Sequence, residues 1–305
     1  MRILVTGGCG FVGSHVVDEL LAGRHEVLAF DNLSTGHREF CRAKLVVGDI
    51  RDAGAVNKAF ASFRPDVVVH TAAQVMLRKS TDEPTFDATT NVLGTINILE
   101  ACRHNKVKKI IYTATGGACY GEPKKLPVPE TAEKEPLSPY GCSKYSAELY
   151  VRAYSHNYGF DHLIFRFGNV YGPRDDPGTK RIIPIIAQGL IRKTDFSIFG
   201  DGKQTRDFLY VKDISRTVAA WVGKKPKASV YNLASGKGIS INEVYDVIAA
   251  DLGSKEKAKH TKAIAGEVRF IFLDIKKARK DLGFKPTPFR DGMRETMQYF
   301  RQSMK

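Results

Sequence analysis

Two tyrosines in this 305-residue chain stand four positions ahead of a lysine, Tyr140 before Lys144 and Tyr120 before Lys124. Residues four apart share one face of a helix, and an ammonium beside a phenol favours the phenolate, a group able to take a proton from an alcohol. Gly121 and Pro123 break any helix through the second pair, whereas Ser138-Pro139 reads as the start of a helix running to Tyr158. Tyr140 and Lys144 are therefore the candidate base and its partner. A free phenol titrates near pH 10, so work at neutral pH needs a shift of about three units, or about 4 kcal/mol at roughly 1.4 kcal/mol per unit.

The opening segment supplies a place for a second reactant. An apolar run, Ile3 to Val5, enters three glycines, Gly7, Gly10 and Gly13. In that spacing the first glycine allows a tight turn, the second lets backbone approach a pyrophosphate, and the third lets a helix starting near Phe11 pack on the strand. The helix N-terminus then presents free N–H groups to the anion. A second apolar run ends in Asp31. A carboxylate there accepts the adenosine ribose hydroxyls and repels a 2′-phosphate, which favours NAD over NADP; the alternative is an ordinary turn aspartate. Asp49, closing a third run, either reaches the adenine amino group or caps the next helix. A bound nicotinamide ring would add the second positive charge near Tyr140.

The elements that must position these groups alternate. Strands are expected near 2–6, 26–31, 44–49, 66–70, 107–113 and 162–167, and helices near 11–22, 53–61, 84–104 and 138–158. Such alternation reads as an α/β fold, a Rossmann-type doubly wound parallel sheet. After residue 168 the pattern shortens, which predicts a smaller C-terminal substrate-binding domain over 169–305, with return segments near 207–234 completing the NAD-binding domain of 1–168. Five cysteines form neither a paired framework nor a C-x-x-C site, no apolar run spans a membrane, and no signal peptide is read, so a cytoplasmic protein with reduced thiols is expected. Histidine spacing predicts no metal. The net charge of +14 raises nucleic acid as a partner, but the basic residues are scattered and no recognition motif accompanies them.

These residues, with His70-Thr-Ala-Ala-Gln74, Asn91, the Thr115 to Gly121 segment, Asn169-Val-Tyr-Gly-Pro-Arg174, Phe199 to Phe208 and Gly266-Glu267-Val268, resemble the extended short-chain dehydrogenase/reductase family over nearly the whole chain. Within it the likeness is to nucleotide-sugar epimerases of the UDP-glucose 4-epimerase type. The resemblance implies NAD held by Gly7, Gly10, Phe11, Val12, Gly13, Asp31, Asn32, Asp49, Ile50, Ala72, Ala73, Gln74, Asn91, Thr113, Tyr140 and Lys144. It implies a UDP-sugar substrate against Thr115, Gly116, Gly117, Asn169, Arg174, Arg206 and Ile271. Tyr140 would take the proton of the sugar 4′-hydroxyl, a transient 4-ketone would turn over, and the proton would return; Lys144 would hold the nicotinamide ribose. Relatives pair the two long helices, which implies a homodimer.

Departures from the family pattern bear on the chemistry. Four residues before Tyr120, where a hydroxyl is usual, stands Gly116, so Thr115 is assigned that role, with Thr113 as the alternative. Dehydratases place an acid pair directly after the threonine, and UDP-glucuronate decarboxylases tend to have a carboxylate in the same segment. Here Gly116-Gly117 follow, which leaves C4 epimerisation as the expected reaction. Ile264 stands where an arginine is common, so that one phosphate or ribose contact is either lost or shifted to Lys262 or Arg269, and Ile271 is smaller than the tyrosine of enzymes restricted to plain hexoses, so UDP-GlcNAc/GalNAc is expected to fit beside UDP-glucose/galactose. Arg206 is read as a pyrophosphate clamp or as a surface partner of Asp207. Another oxidoreductase, dehydratase or decarboxylase of this fold, or a non-catalytic NAD-binding regulator, are the rival readings.

Overall fold

The computed structural model of the chain describes residues 1–227, 229–263 and 268–304. Its first part runs β1 (Arg2–Thr6), α1 (Phe11–Ala22), β2 (Glu26–Asp31), β3 (Lys44–Val47), α2 (Ala53–Phe63), β4 (Val67–His70), α3 (Leu77–Asp82), α4 (Pro84–Ala88), a π turn (Thr89–Leu93), α5 (Gly94–His104), β5 (Lys109–Thr115), α6 (Gly116–Cys119), α7 (Pro139–Tyr158) and β6 (Asp161–Phe167). The second part holds β7 (Asn169–Tyr171), α8 (Ile182–Arg192), β8 (Ile198–Phe199), β9 (Thr205–Arg206), β10 (Phe208–Tyr210), α9 (Val211–Trp221), β11 (Val230–Leu233), β12 (Ile239–Ser240), α10 (Ile241–Leu252), β13 (His260–Thr261), α11 (Lys276–Leu282) and α12 (Phe289–Ser303).

Seven strands form a parallel sheet in the order β11-β6-β5-β4-β1-β2-β3. Its strands are apolar on both sides because helices cover both faces. In β1, Ile3 and Val5 pack with Val16 and Leu20, while Leu4 between them packs with Phe30, Phe60 and Ile98 on the opposite face. The order reverses between β1 and β4, which opens a crevice at their C-terminal ends, where ligands bind in such sheets. A third core of Tyr171, Phe208, Tyr210, Ile248, Met293 and Phe300 lies in the later part of the chain, where short strands pair as β7·β10, β9·β12 and β8·β13.

Local sequence sets the helix that carries the chemistry. Ser138 caps α7 by accepting from Gly141 N at 3.1 Å, Pro139 occupies its first turn, and Gly159 ends it in the left-handed conformation. One turn past Lys144, Glu148 forms a buried ion pair with Arg166 of β6, whose Nε donates to it at 2.9 Å. Arg166 also donates to the Tyr120 hydroxyl at 2.8 Å. This pair fixes α7 against the sheet and leaves Tyr120, itself bonded to Asn232 Oδ1 at 2.8 Å, inside the core.

The expected helix over 84–104 is interrupted. A π turn at Thr89–Leu93 separates α4 from α5 and points the buried Asn91 at tertiary partners. Strand ends also move: β3 stops at Val47 rather than 49, and β5 runs to Thr115 rather than 113.

Candidate active site

Gly7 sits at φ +69, and a β-carbon there would lie 2.7 Å from Ala72 N; a β-carbon on Gly13 would lie 1.9 Å from Gly7 O. Only glycine fits at either point. Gly10 precedes Phe11 and Val12 as the cap of α1 and offers no side chain to its N–H groups, and the first turn carries no acid. An anion can therefore approach these donors directly. Asp31 is buried at the end of β2, where Oδ2 accepts from Cys9 N at 2.9 Å and Oδ1 from Leu33 N at 2.8 Å. Each carboxylate oxygen has a further lone pair for a ribose hydroxyl, so the cradle fits a dinucleotide without a 2′-phosphate.

Asn32 donates to Asp49 at 2.8 Å, and Arg51, absent from the expected set, clamps the same carboxylate at 2.7 Å. The Arg51 hydrogen bond is the main cause that holds Asp49 far below the usual carboxylate range. Ile50 is buried beneath Gly94. Next along the crevice, His70 joins Thr6 Oγ1 at 2.6 Å and Thr95 Oγ1 at 3.0 Å. Burial lowers its pKa to about 3, so it is a neutral bridge between β1 and α5. Ala72 N is bound to Thr6 Oγ1 at 3.3 Å, with Ala73 following it. Gln74 exchanges backbone bonds with the Asn91 amide, donating from N at 2.9 Å and accepting at O at 3.0 Å.

The catalytic candidates meet at the ends of β5 and α7. The Thr115 hydroxyl stands beside the Tyr140 phenol, whose proton affinity it lowers, and accepts from Ala118 N at 3.2 Å. Thr113 turns instead to His70 O, to which it donates at 3.1 Å, so Thr115 is the hydroxyl beside the phenol. Lys144 is buried, its ammonium 4.3 Å from the centre of the Tyr112 ring.

Burial is the first influence on the charge of both groups. Burial pushes Tyr140 up to about 12, opposed first by Thr115 and then by the positive charge of Arg181. Burial likewise lowers Lys144 to about 7, opposed by Asp87 and then Glu148. Bringing the phenol from about 12 to neutrality spans about five units, on the order of 7 kcal/mol rather than 4. A positive charge brought close to the phenol would favour its ionised form.

Arg181 and Asp87 carry no motif. Arg181 lies with its guanidinium 4.9 Å from the centre of the Phe11 ring and donates from Nε to Asp175 at 2.8 Å. The i, i+4 spacing of Asp87 and Asn91 is the one trace either residue leaves in the sequence.

On the far side of Thr115, a β-carbon on Gly116 would lie 2.4 Å from Leu273 Cδ1, and one on Gly117 would lie 3.4 Å from Asn169 Oδ1. Gly117 and Asn169 are therefore neighbours, and no acid stands at either glycine. Ile271 is buried with Leu273 in the sheet-side core. Arg206 lies on β9 and donates to Thr205 O at 2.9 Å. Its neighbour Asp207 is buried under donors from Ser235, Gly236 and Leu273, and burial raises it to about 6. Arg174 is brought to α1 instead, where it donates to Asp18 at 2.8 Å and covers Phe40. Arg269 pairs with Asp201 at 2.8 Å. Ile264, Gly266 and Glu267 lie outside the described residues.

A parallel sheet with a glycine cradle at its switch point, and a tyrosine and lysine one helical turn apart beside it, defines a dinucleotide-dependent enzyme scaffold. A family profile described as GDP-mannose 4,6 dehydratase matches residues 4–296. The chain belongs to this branch of the extended short-chain dehydrogenase/reductase family. A relative from Methanocaldococcus jannaschii, provisionally named UDP-glucose 4-epimerase, is 42% identical, the match covering 99% of both chains. A crystal structure of Thermotoga maritima UDP-glucose 4-epimerase with UDP-glucose is 38% identical, with a TM-score of 0.97 and coverage of 100% of both chains. That of Thermus thermophilus UDP-glucose 4-epimerase with NAD is 36% identical, with a TM-score of 0.93, covering 99% of this chain and 100% of that one.

Proposed function

We propose that the chain catalyses NAD-dependent epimerisation at C4 of a UDP-hexose, UDP-glucose/UDP-galactose first. The observation that carries this reading is the Thr115–Tyr140 pair with glycines, not acids, at 116 and 117. A dehydratase of this family must also remove a C5 proton and expel the C6 hydroxyl, which needs further acid–base groups. Inversion at C4 needs one base that serves in both directions. The relatives support the same substrate class.

NAD would be held through its pyrophosphate by the N–H groups around Gly10 to Gly13, through its adenosine ribose by Asp31, and through its nicotinamide ribose by Lys144. When bound, it supplies a reversible acceptor for the C4 hydrogen and its electron pair. Thr115 donates its one hydroxyl proton to the Tyr140 phenolate before transfer; Tyr140 takes the 4′-hydroxyl proton, and the Thr115 hydroxyl is then free to donate to the reacting oxygen. The resulting 4-ketone turns its other face, and Tyr140 returns the proton. Asn169, Gly117 and Arg206 would hold the diphosphate and sugar. An isoleucine in place of a tyrosine at 271 would leave room for an N-acetyl group, so UDP-GlcNAc/GalNAc would also be turned over.

In this reading residues 1–168 with the segment near 207–234 bind NAD, and 169–305 mainly bind the nucleotide sugar. Leu93 in the π turn that leads into α5, and Leu149 and Tyr150 on α7, are exposed, which suits a homodimer formed through these helices; light scattering after gel filtration tests it. Five free cysteines suit a cytoplasmic setting. Among the described residues no helix is long and apolar enough to cross a membrane. Incubation with UDP-, dTDP- and GDP-hexoses, followed by chromatographic separation, tests the substrate: UDP-sugars should interconvert at C4 without net NADH release. A product lighter by one water, or accumulating NADH, would replace the epimerase with another enzyme of this fold.

A further inference from the structure

Lys144 faces charged and titratable groups from four elements: Asp87 on α4, neutral His70 on β4, Tyr112 on β5, and Tyr140 and Glu148 on its own helix. Only two of these are carboxylates, and they are not equivalent. Both oxygens of Glu148 are held by Arg166, through Nε and Nη2, so its charge is neutralised by that ion pair. Asp87 is 1% exposed and uses one oxygen only. Its Oδ1 accepts from Gln74 Nε2 at 2.8 Å and from Asn91 Nδ2 at 3.1 Å, while its buried Oδ2 has no hydrogen-bond partner. An ionised carboxylate left this way is costly unless a cation balances it.

The same network reaches the catalytic turn. Asn91 Nδ2 lies 3.1 Å from Ser143 Oγ, and Ser143 donates to Tyr140 O at 3.1 Å. Ser143 is the residue before Lys144, so Asp87 is tied through Asn91 to the turn of α7 that carries both functional side chains. The π turn at Thr89–Leu93 is what lets Asp87 and Asn91, four apart, converge on Gln74 and Ser143.

We propose that Asp87 is a positioning residue that keeps Lys144 in its ammonium form and holds its turn of α7 against the cofactor crevice. The proposal rests on the epimerase reading for its effect on turnover, but not for its effect on Lys144. Asp87 is the leading group that raises the lysine back toward protonation, and it also raises the phenol. Removing its charge therefore lets both groups lose protons more easily.

The test is Asp87→Asn, which keeps an oxygen for Gln74 and Asn91 and removes the charge. In the NAD-loaded protein, the 13Cε resonance of Lys144, assigned by its absence in Lys144→Arg, reports the lysine titration directly. We expect its midpoint to fall by about one pH unit or more, a tenfold change in proton affinity. In the same variant the whole bell-shaped pH profile of kcat should move to lower pH. An unmoved lysine midpoint overturns the proposal whatever the activity. A moved midpoint with unmoved kcat limbs removes the link to catalysis, and absence of turnover in the parent protein bears on the epimerase reading alone, since the resonance still titrates.

Discussion

Thr115 is the residue whose loss should read out most specifically. Its hydroxyl does two things: it caps α6 by accepting from Ala118 N at 3.2 Å, and it stands beside the Tyr140 phenol, where it favours the phenolate. Thr115→Ala removes both. Loss of the cap costs about 1 kcal/mol of stability, which lowers Tm by roughly 2–4 °C in a chain of this size. Loss of a hydrogen bond to a group that becomes charged costs about 1.5–3 kcal/mol, or about 10- to 150-fold in rate. The sign on pH is fixed. The bond lowers the phenol pKa, so without it the phenol holds its proton to higher pH, and the acid limb of kcat should rise by about one to two units. Initial rates of UDP-galactose conversion between pH 5.5 and 9.5 measure this. The deficit should be largest at low pH and shrink as pH rises, and Thr115→Ser should restore both rate and limb. A limb that stays at the parent position in Thr115→Ala, or a rate within threefold of the parent, would refute the assignment of this hydroxyl.

Gly13→Ala puts a methyl 1.9 Å from Gly7 O, so the variant should purify without NAD, as read from its absorbance ratio; normal occupancy would show that the cradle lies elsewhere. Asp31→Asn keeps the oxygen bonded to Leu33 N but removes the charge. Its preference for NADH over NADPH in fluorescence titration should fall by about tenfold or more, and an unchanged preference would remove Asp31 from cofactor choice. Tyr120→Phe deletes a hydroxyl shared by Arg166 and Asn232. Stability should drop by about 1–3 kcal/mol in denaturant titrations while kcat stays within twofold, whereas a collapse of kcat in the folded variant would make this second tyrosine chemical.

The sequence shows most clearly what is local. The apolar strand, the glycines and Asp31 lie within thirty-one residues, and each owes its role to backbone geometry that its own type imposes. Ser138-Pro139 likewise marks the start of α7 to within a residue. What depends on partners far along the chain is not visible. The apolar period through 84–104 is continuous, and the π turn inside it is set by Gln74 and Ser143 meeting Asn91. Thr113 and Thr115 are two apart on one strand and share a face; only the pairing of His70 with Tyr112 across β4 and β5 brings Thr113 to the histidine carbonyl and leaves Thr115 for Tyr140. Charged residues are hardest to place. Arg174 finds Asp18 across 156 positions, and Arg181, outside any motif, is the cation that acts on the phenol. The expected influence of Lys144 on Tyr140 follows from spacing, but burial acts on both groups more strongly than they act on each other.

In the proposed reaction C4 is oxidised and reduced within one crevice, with Tyr140 moving only the hydroxyl proton. UDP-galactose carrying deuterium at C4, converted in ordinary water and read by mass spectrometry, tests it directly. The expected product is UDP-glucose that retains the deuterium at C4. Inversion with loss of the label to solvent would contradict it, because the C4 hydrogen would then have left as a proton rather than with its electron pair.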